Sequence, residues 1–314
     1  MNDKIIAYKG FTSNMRCRGY QFEEGKEYDC SKDEDIELCR VGFHACTDPI
    51  DCFTYYLPNN NSIYHKVELS GIIKRASDDS KICASHIKIL EEVSSNEILA
   101  MGKEKAKNIM GDRYTDLEYK FVGTIKSKRD INKLLDTTEL NVGNKILIID
   151  GEYNKNFICV EKEKLENGKY GYYFLALDYF ELSCMDDEYK DNYTSFKETM
   201  LSRKLDSISY SFEKVLGSRM KEMEINDNGL IYNTKLTLPT QEQVCKDQKY
   251  DKTNFQYFRL RKILNLWYDQ YFRGNFWLRG VASSSHFAIA SGSGYASYST
   301  ASDALWFIPL LYLG

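Results

Sequence analysis

Cysteines and one histidine crowd the start of this chain. Five of its nine Cys, at positions 17, 30, 39, 46 and 52, fall close to His44 in sequence. Thiolate and imidazole are the ligand types of a tetrahedral zinc. The spacings are irregular, however, and no Cys-x-x-Cys occurs, so free thiols are the expectation and no metal is assigned. A second set lies near the other end, where His286, Asp303 and many serines supply the residue types of a hydrolytic triad. Ser291-Gly292-Ser293-Gly294 follows Ala290, so the Gly-x-Ser-x-Gly elbow is not made. The two glycines read as turns rather than as a phosphate cradle. Asp303 alone cannot furnish the several oxygens that calcium needs. His286 therefore reads as a contact residue, and no catalytic residue and no cofactor is assigned.

The stretch Asn275 to Gly314 must position that second set, and its composition departs from the rest. The whole chain is 28% charged, yet Asp303 is the one fully charged residue between Gly280 and Gly314. Ser and Ala dominate, interleaved with Tyr295, Tyr298, His286 and Trp306. Dense apolar runs, 276–278 and 307–313, bracket the span. A flexible linker would not be closed by such runs. The reading is a displayed segment clamped between two core strands, with the rigid rings and small polar groups that recognition surfaces use.

The 314 residues suffice for two domains, and 43% are hydrophobic. A net charge of −4 without a dominant basic block disfavours nucleic acid as a partner. Aromatics reach 14%, with 24 Tyr, which suits β structure and binding surfaces. The opening MNDKIIAYKG lacks the apolar core of an export signal, and no apolar run approaches the roughly 20 residues of a membrane helix. Synthesis in the cytoplasm and no membrane span are the expectations.

Periodicity places the elements. Residues 4–11 alternate as a strand. Asp48-Pro49 starts a short helix ended by Pro58. Strands are predicted at 62–69, 71–76 and 82–91. A helix over 95–110, capped by Ser95, turns Ile98, Met101 and Ala106 or Ile109 inward. A strand at 117–126 and a helix at 127–136 follow, and charge makes 93–136 a spacer. Asn167-Gly168 marks a hairpin. Helices are predicted at 193–205 and 207–217, and Thr240 with Gln243 forms a capping box. In 255–272, Tyr257, Leu260, Leu264, Trp267 and Tyr271 make one stripe, leaving Arg259, Arg261, Lys262 and Arg273 to solvent. The whole is α+β: an N-terminal α+β module, 1–136, and a second domain, 137–314.

From about Val142 onward the chain resembles a C-type-lectin-like domain family of bacteria and phages. The resemblance rests on VG-x-K-I at 142–146, LPT-x-x-x-V at 238–244, FWLRG at 276–280 and WFIPLLYL at 306–313. A subset of such domains looks like the variable proteins of diversity-generating retroelements, whose randomised codons never encode Lys, Glu, Gln, Met or Trp. Residues 281–305 contain none of the five. The resemblance implies a C-type-lectin-like second domain with a hypervariable ligand-binding face, diversified by a retroelement. That face would take in Ala282, Ser283, Ser285, His286, Ala288 and Ala290. It would continue through Ser291, Ser293, Tyr295, Ser297 and Tyr298 to Thr300, Ser302, Asp303, Leu305 and Trp306. The partner implied is an unknown protein or surface ligand, with phage or surface association. Oxidases that share this fold need a reactive Cys pair in the C-terminal part, and no Cys follows Cys245.

The first 90 residues resemble another phage- and bacteria-associated domain of unknown function, through AYKGF (7–11), CRGYQFEEGKEY (17–28) and LCRVGFHACTDPIDCFTYY (38–56). A fainter likeness to ADP-ribosyltransferases casts Tyr8, Lys9, His44, Tyr56 and Glu68 as dinucleotide-binding and catalytic groups. That likeness implies an enzyme with a lectin-like targeting domain. A phage host-interaction protein without diversification is the third reading.

Overall fold

The computed structural model describes residues 4–30, 36–58, 61–76, 80–187, 192–245, 255–264, 274–291 and 294–314. It shows a mixed α+β protein with several sheets. Two compact units divide the chain: Met1–Asp112 with Arg261–Leu266, and Arg113–Leu260 with Trp267–Gly314.

The first unit opens with β1 (Ile5–Thr12), the short ribbon of β2 (Arg16–Cys17) and β3 (Tyr20–Gln21), then β4 (Glu27–Asp29) and β5 (Phe43–Cys46). After a 3-10 turn come α1 (Cys52–Tyr55), the long strands β6 (Ser62–Arg75) and β7 (Lys81–Glu92), and α2 (Ser95–Met110). The sheet order is β4-β7-β5-β1-β6, and β6 also pairs with β7. The sheet therefore closes on itself as a small barrel. Its interior takes alternate residues of each strand, among them Ala7, Phe11, Val67, Leu69, Ile87 and Ile89. The seam between β1 and β5 is thin, with the single register pair Tyr8↔Cys46, whereas β6 pairs along the whole of β1.

Two predicted strands, 62–69 and 71–76, are one. Gly71 sits at φ +82° within a register shift, and Ser85 Oγ accepts the Ile72 amide at 2.9 Å there. A bulge absorbs the glycine that the sequence offers as a break. The Asp48 cap forms as expected, its carboxylate accepting the Ile50 amide at 3.3 Å. In α2 the cap is Ser94, one residue earlier than predicted, because Glu97 then stands where its carboxylate reaches back to the Ser94 amide at 2.8 Å. Ile98, Gly102, Ala106 and Met110 face inward, while Met101 and Ile109 are exposed.

The second unit holds β8 (Phe121–Ile125), α3 (Lys128–Thr137), β9 (Lys145–Ile149), β10 (Asn154–Lys164), β11 (Tyr170–Ala176), β12 (Leu182–Ser183) and α4 (Met200–Leu216). Strands β13 (Met220–Lys221), β14 (Met223–Asp227), β15 (Leu230–Thr234) and β16 (Leu236–Thr237) follow, then α5 (Gln241–Val244). Helix α6 (Gln256–Ile263) crosses the division between the units. Strands β17 (Phe276–Val281), β18 (His286–Ala290), β19 (Ala296–Thr300), β20 (Leu305–Trp306) and β21 (Leu310–Leu313) complete it. One sheet runs β13-β21-β11-β10-β9-β8, with β16 also on β21. A second runs β12-β20-β17-β18-β19, so β19 is an edge strand.

The predicted spacer is divided. Helix α2 belongs to the first unit, whereas β8 and α3 join the second through Ile125, Ile131 and Leu134 in its core. Charge along this stretch masked three well-spaced apolar anchors. The Asn167-Gly168 hairpin between β10 and β11 forms as expected. The two helices predicted at 193–217 are a single α4 after a 3-10 turn, because Thr199 is the working cap, accepting the Ser202 amide at 3.1 Å. The Thr240 capping box is present. In α6 the expected solvent side does not hold: Arg261 is buried at 2%, because this helix is enclosed on nearly all faces. Trp267, Tyr271 and Arg273 lie outside the described residues.

Candidate functional site

The brackets of the C-terminal segment are core. Phe276, Trp277 and Leu278, with Phe307, Ile308, Leu310, Leu311 and Leu313, are all essentially inaccessible, and the Trp277 indole N–H donates to the Ser183 carbonyl at 2.8 Å. Strand β18 next to β17 is buried as well, so Ala288 and Ala290 are core residues and not part of an exposed face. Ser285 is also buried. The reason is position: β18 is an inner strand, paired on both sides by β17 and β19.

Exposure begins at the edge. Tyr295, Ser297 and Tyr298 are open to solvent, with Tyr295 at 49% and Tyr298 at 57%. Ala282, Ser283, Ser302 and Asp303 are exposed in the flanking turns; His286, Ser291, Thr300 and Leu305 are half-buried. Trp306 is 38% exposed, pairs in register with exposed Leu182, and its ring stands 5.5 Å from that of Tyr179. Ser293 lies outside the described residues. Sequence reasoning thus marked the exposed edge, and it also swept in three interior positions.

The triad residue types do not assemble for hydrolysis. Ser283 and Ser285 both place their hydroxyls on His286 Nδ1, at 3.1 and 3.0 Å. Asp303 accepts from the Ser299 hydroxyl and from the Thr300 amide at 2.9 Å, and these bonds hold its carboxyl below the usual range. The carboxylate is thus spent on closing a turn, not on orienting the histidine.

The N-terminal unit holds a cavity of about 630 Å³ at the thin β1–β5 seam. All five early cysteines and His44 line it, with Tyr8, Lys9 and Tyr56. Strand alternation puts Lys9 in phase with Ala7 and Phe11, the inward face, and Lys9 is 6% exposed. Its ammonium donates to the His44 carbonyl at 2.7 Å and reaches Cys17 Sγ at 3.5 Å. The Phe11 and Phe22 rings lie 5.5 and 5.6 Å away. No carboxylate pairs with it among the described residues. The alternation of 4–11, carried through to Lys9, is the signal that would have found this residue as a buried cation.

His44 Nε2 accepts the Cys39 amide at 2.8 Å. Burial, and then the Lys9 cation, lower its pKa to about 4, against the opposing hydrogen bond to the Gly42 backbone. It is a neutral, fully engaged imidazole, unsuited to metal or proton work. Among the described residues, no three His, Cys, Asp or Glu converge as an ion's ligands. The nine cysteines are free thiols. The Cys52 thiol is pushed up, first by its hydrogen bond with Cys46 and then by burial, which makes it a poor nucleophile.

Of the five residues cast as a dinucleotide enzyme's, Tyr8, Lys9, His44 and Tyr56 share this cavity. Glu68 does not line it: Glu68 lies on β6, paired with Lys4 at 2.8 Å. No curated protein and no solved structure matches the chain. Residues 5–101, which include every residue lining the cavity, match the model of a domain of unknown function (DUF7666).

Proposed function

We propose that this chain is a binding protein whose C-terminal half is a C-type-lectin-like scaffold carrying a hypervariable face, diversified by a retroelement. The observation that carries the reading is the partition of the last forty residues. Two core-locked brackets flank an edge strand whose Ser297 and Tyr298 face solvent, with exposed Tyr295 just before it. Strand β21 returns to the sheet of β9–β11, which suits a scaffold whose shape does not depend on the segment between the brackets. Exposed substitutions typically change stability by no more than about 0.5 kcal/mol, so side chains there can change while the fold stays. Tyr295, Tyr298 and Trp306 are the leading affinity residues. The partner is a protein or surface ligand. Among the described residues no helix is long and apolar enough to cross a membrane.

The test is to sequence the locus from many isolates and count substitutions by position. The reading expects changes at exposed positions such as 282, 283, 295, 297, 298 and 302, with constancy at 276–279, 288, 290 and 307–313. An even spread along the chain overturns it and leaves a fixed host-interaction surface. The transferase reading keeps four of its five residues in one cavity but lacks its carboxylate there.

A further inference from the structure

We propose that the cavity of the N-terminal unit binds a small nucleotide, a phosphate-bearing anion with a flat aromatic base. This inference stands apart from the C-terminal face and does not depend on it. Charge gives the first argument. Among the described residues, Lys9, Arg18, Arg40 and Lys81 line the cavity against Asp29 as the one acid; Asp29 pairs with His86 at 3.2 Å, and Arg40 with Glu37, outside the lining, at 2.9 Å. Lys9 is the most telling of the four. A buried ammonium without a counter-ion is unfavourable unless something pairs with it. Its neighbours supply a carbonyl and a thiol, which solvate the charge without neutralising it. An anionic ligand group at Lys9 completes the pair, and the Arg18 fork at the exposed rim suits phosphate oxygens, with Arg40 beside it already engaged by Glu37.

The second argument is shape and lining. About 630 Å³ is several times the space of an inorganic phosphate and lies within the range of small-molecule sites. Beside the cysteines and His44, the wall carries the rings of Tyr8, Tyr20, Phe22, Phe43, Tyr55 and Tyr56. Flat rings at the wall and cations within reach are the two halves of nucleotide chemistry, base stacking and phosphate pairing. The third argument is backbone strain. Arg18 at φ +50° and Cys39 at φ +67° are both left-handed non-glycine residues on this lining, joined by the Arg18 guanidinium donating to the Cys39 carbonyl at 2.9 Å. Such conformations persist where the surroundings hold them, and they gather at ligand sites.

The experiment is calorimetric titration of the full chain with AMP, with inorganic phosphate and with adenosine as separate arms. Saturable AMP binding about tenfold or more tighter than either fragment is expected. Lys9→Met keeps the length and removes the charge, and should weaken AMP about tenfold or more, the value of a charge-assisted hydrogen bond. Arg18→Gln changes an exposed side chain and should weaken AMP severalfold while leaving the thermal midpoint near wild type. This second variant decides the matter should Lys9→Met fail to fold. No binding of AMP at millimolar concentration overturns the proposal. So does inorganic phosphate matching AMP, or Arg18→Gln and any folded Lys9→Met both binding as wild type does.

Discussion

In the N-terminal cavity three polar side chains of the wall are held by hydrogen bonds to backbone. Lys9 is fixed by the His44 carbonyl, His44 by the Cys39 amide, and Arg18 by the Cys39 carbonyl. On the β18–β19 hairpin the division runs the other way. The inner strand carries buried alanines, and the outer one carries exposed Tyr298, with exposed Tyr295 in the turn before it. One region fixes its chemistry by mutual hydrogen bonding, so a change at its inner members, Lys9 and His44, disturbs the rest. The other separates fold from surface strand by strand, so its outer members are replaceable. The difference teaches where evolution can search: a prebuilt cavity commits to one chemical class, whereas an edge strand on a buried neighbour can sample many.

Four measurements break or sharpen this contrast. The largest effect is expected for Trp277→Ala in the scaffold bracket, a loss of about 3–5 kcal/mol by chemical denaturation, from cavity formation and an orphaned Ser183 carbonyl. A small loss would mean that the bracket is not what holds the face. Gly42→Ala in the cavity wall should follow, at about 2–4 kcal/mol. Gly42 stands at φ +113°, and a Cβ there would meet Cys83 Sγ at 2.4 Å. Next is pH. His44 is neutral in the fold with its pKa near 4, below an unfolded value of about 6.5. The unfolded chain binds the extra proton in between, so the contribution is full above about pH 6.5 and fades as pH falls toward 4. The difference in stability between pH 7 and pH 5 should shrink in His44→Gln, and an unchanged difference would show that burial of this ring is not the source. Smallest are Tyr295→Ala and Tyr298→Ala, expected within about 0.5 kcal/mol of wild type. A loss as large as that for Gly42→Ala would erase the contrast.

Features set by local chemistry were legible in the sequence. The Asp48 cap, the Thr240 capping box and the Asn167-Gly168 turn each need only a few adjacent residues, and each forms. Closure of the barrel was not legible, because it depends on β6 pairing with both β1 and β7 through a bulge at Gly71 that reads locally as a stop. Arg261 and Lys9 escaped for a related reason. Both are cations in buried positions, and side-chain type argues for solvent while position argues for the interior. In the C-terminal segment, composition pointed to exposed side chains, which holds for Tyr295, Ser297 and Tyr298, but it could not separate inner from outer strand, since Ala and Ser suit both. Burial of Ser285, Ala288 and Ala290 is a matter of sheet order, which composition does not carry.

The place of β21 has a consequence in time. It pairs with β11, β13 and β16, so residues 310–313 fill an inner slot of a sheet whose other strands are made much earlier. During synthesis those strands emerge with that slot empty, and β11 waits with one side unpaired until the hairpin-bearing segment has left the ribosome. The unit therefore cannot finish folding stepwise. A variant that tangled the hairpin would delay the closing strand, so selection for prompt folding acts on the segment between the two brackets as well.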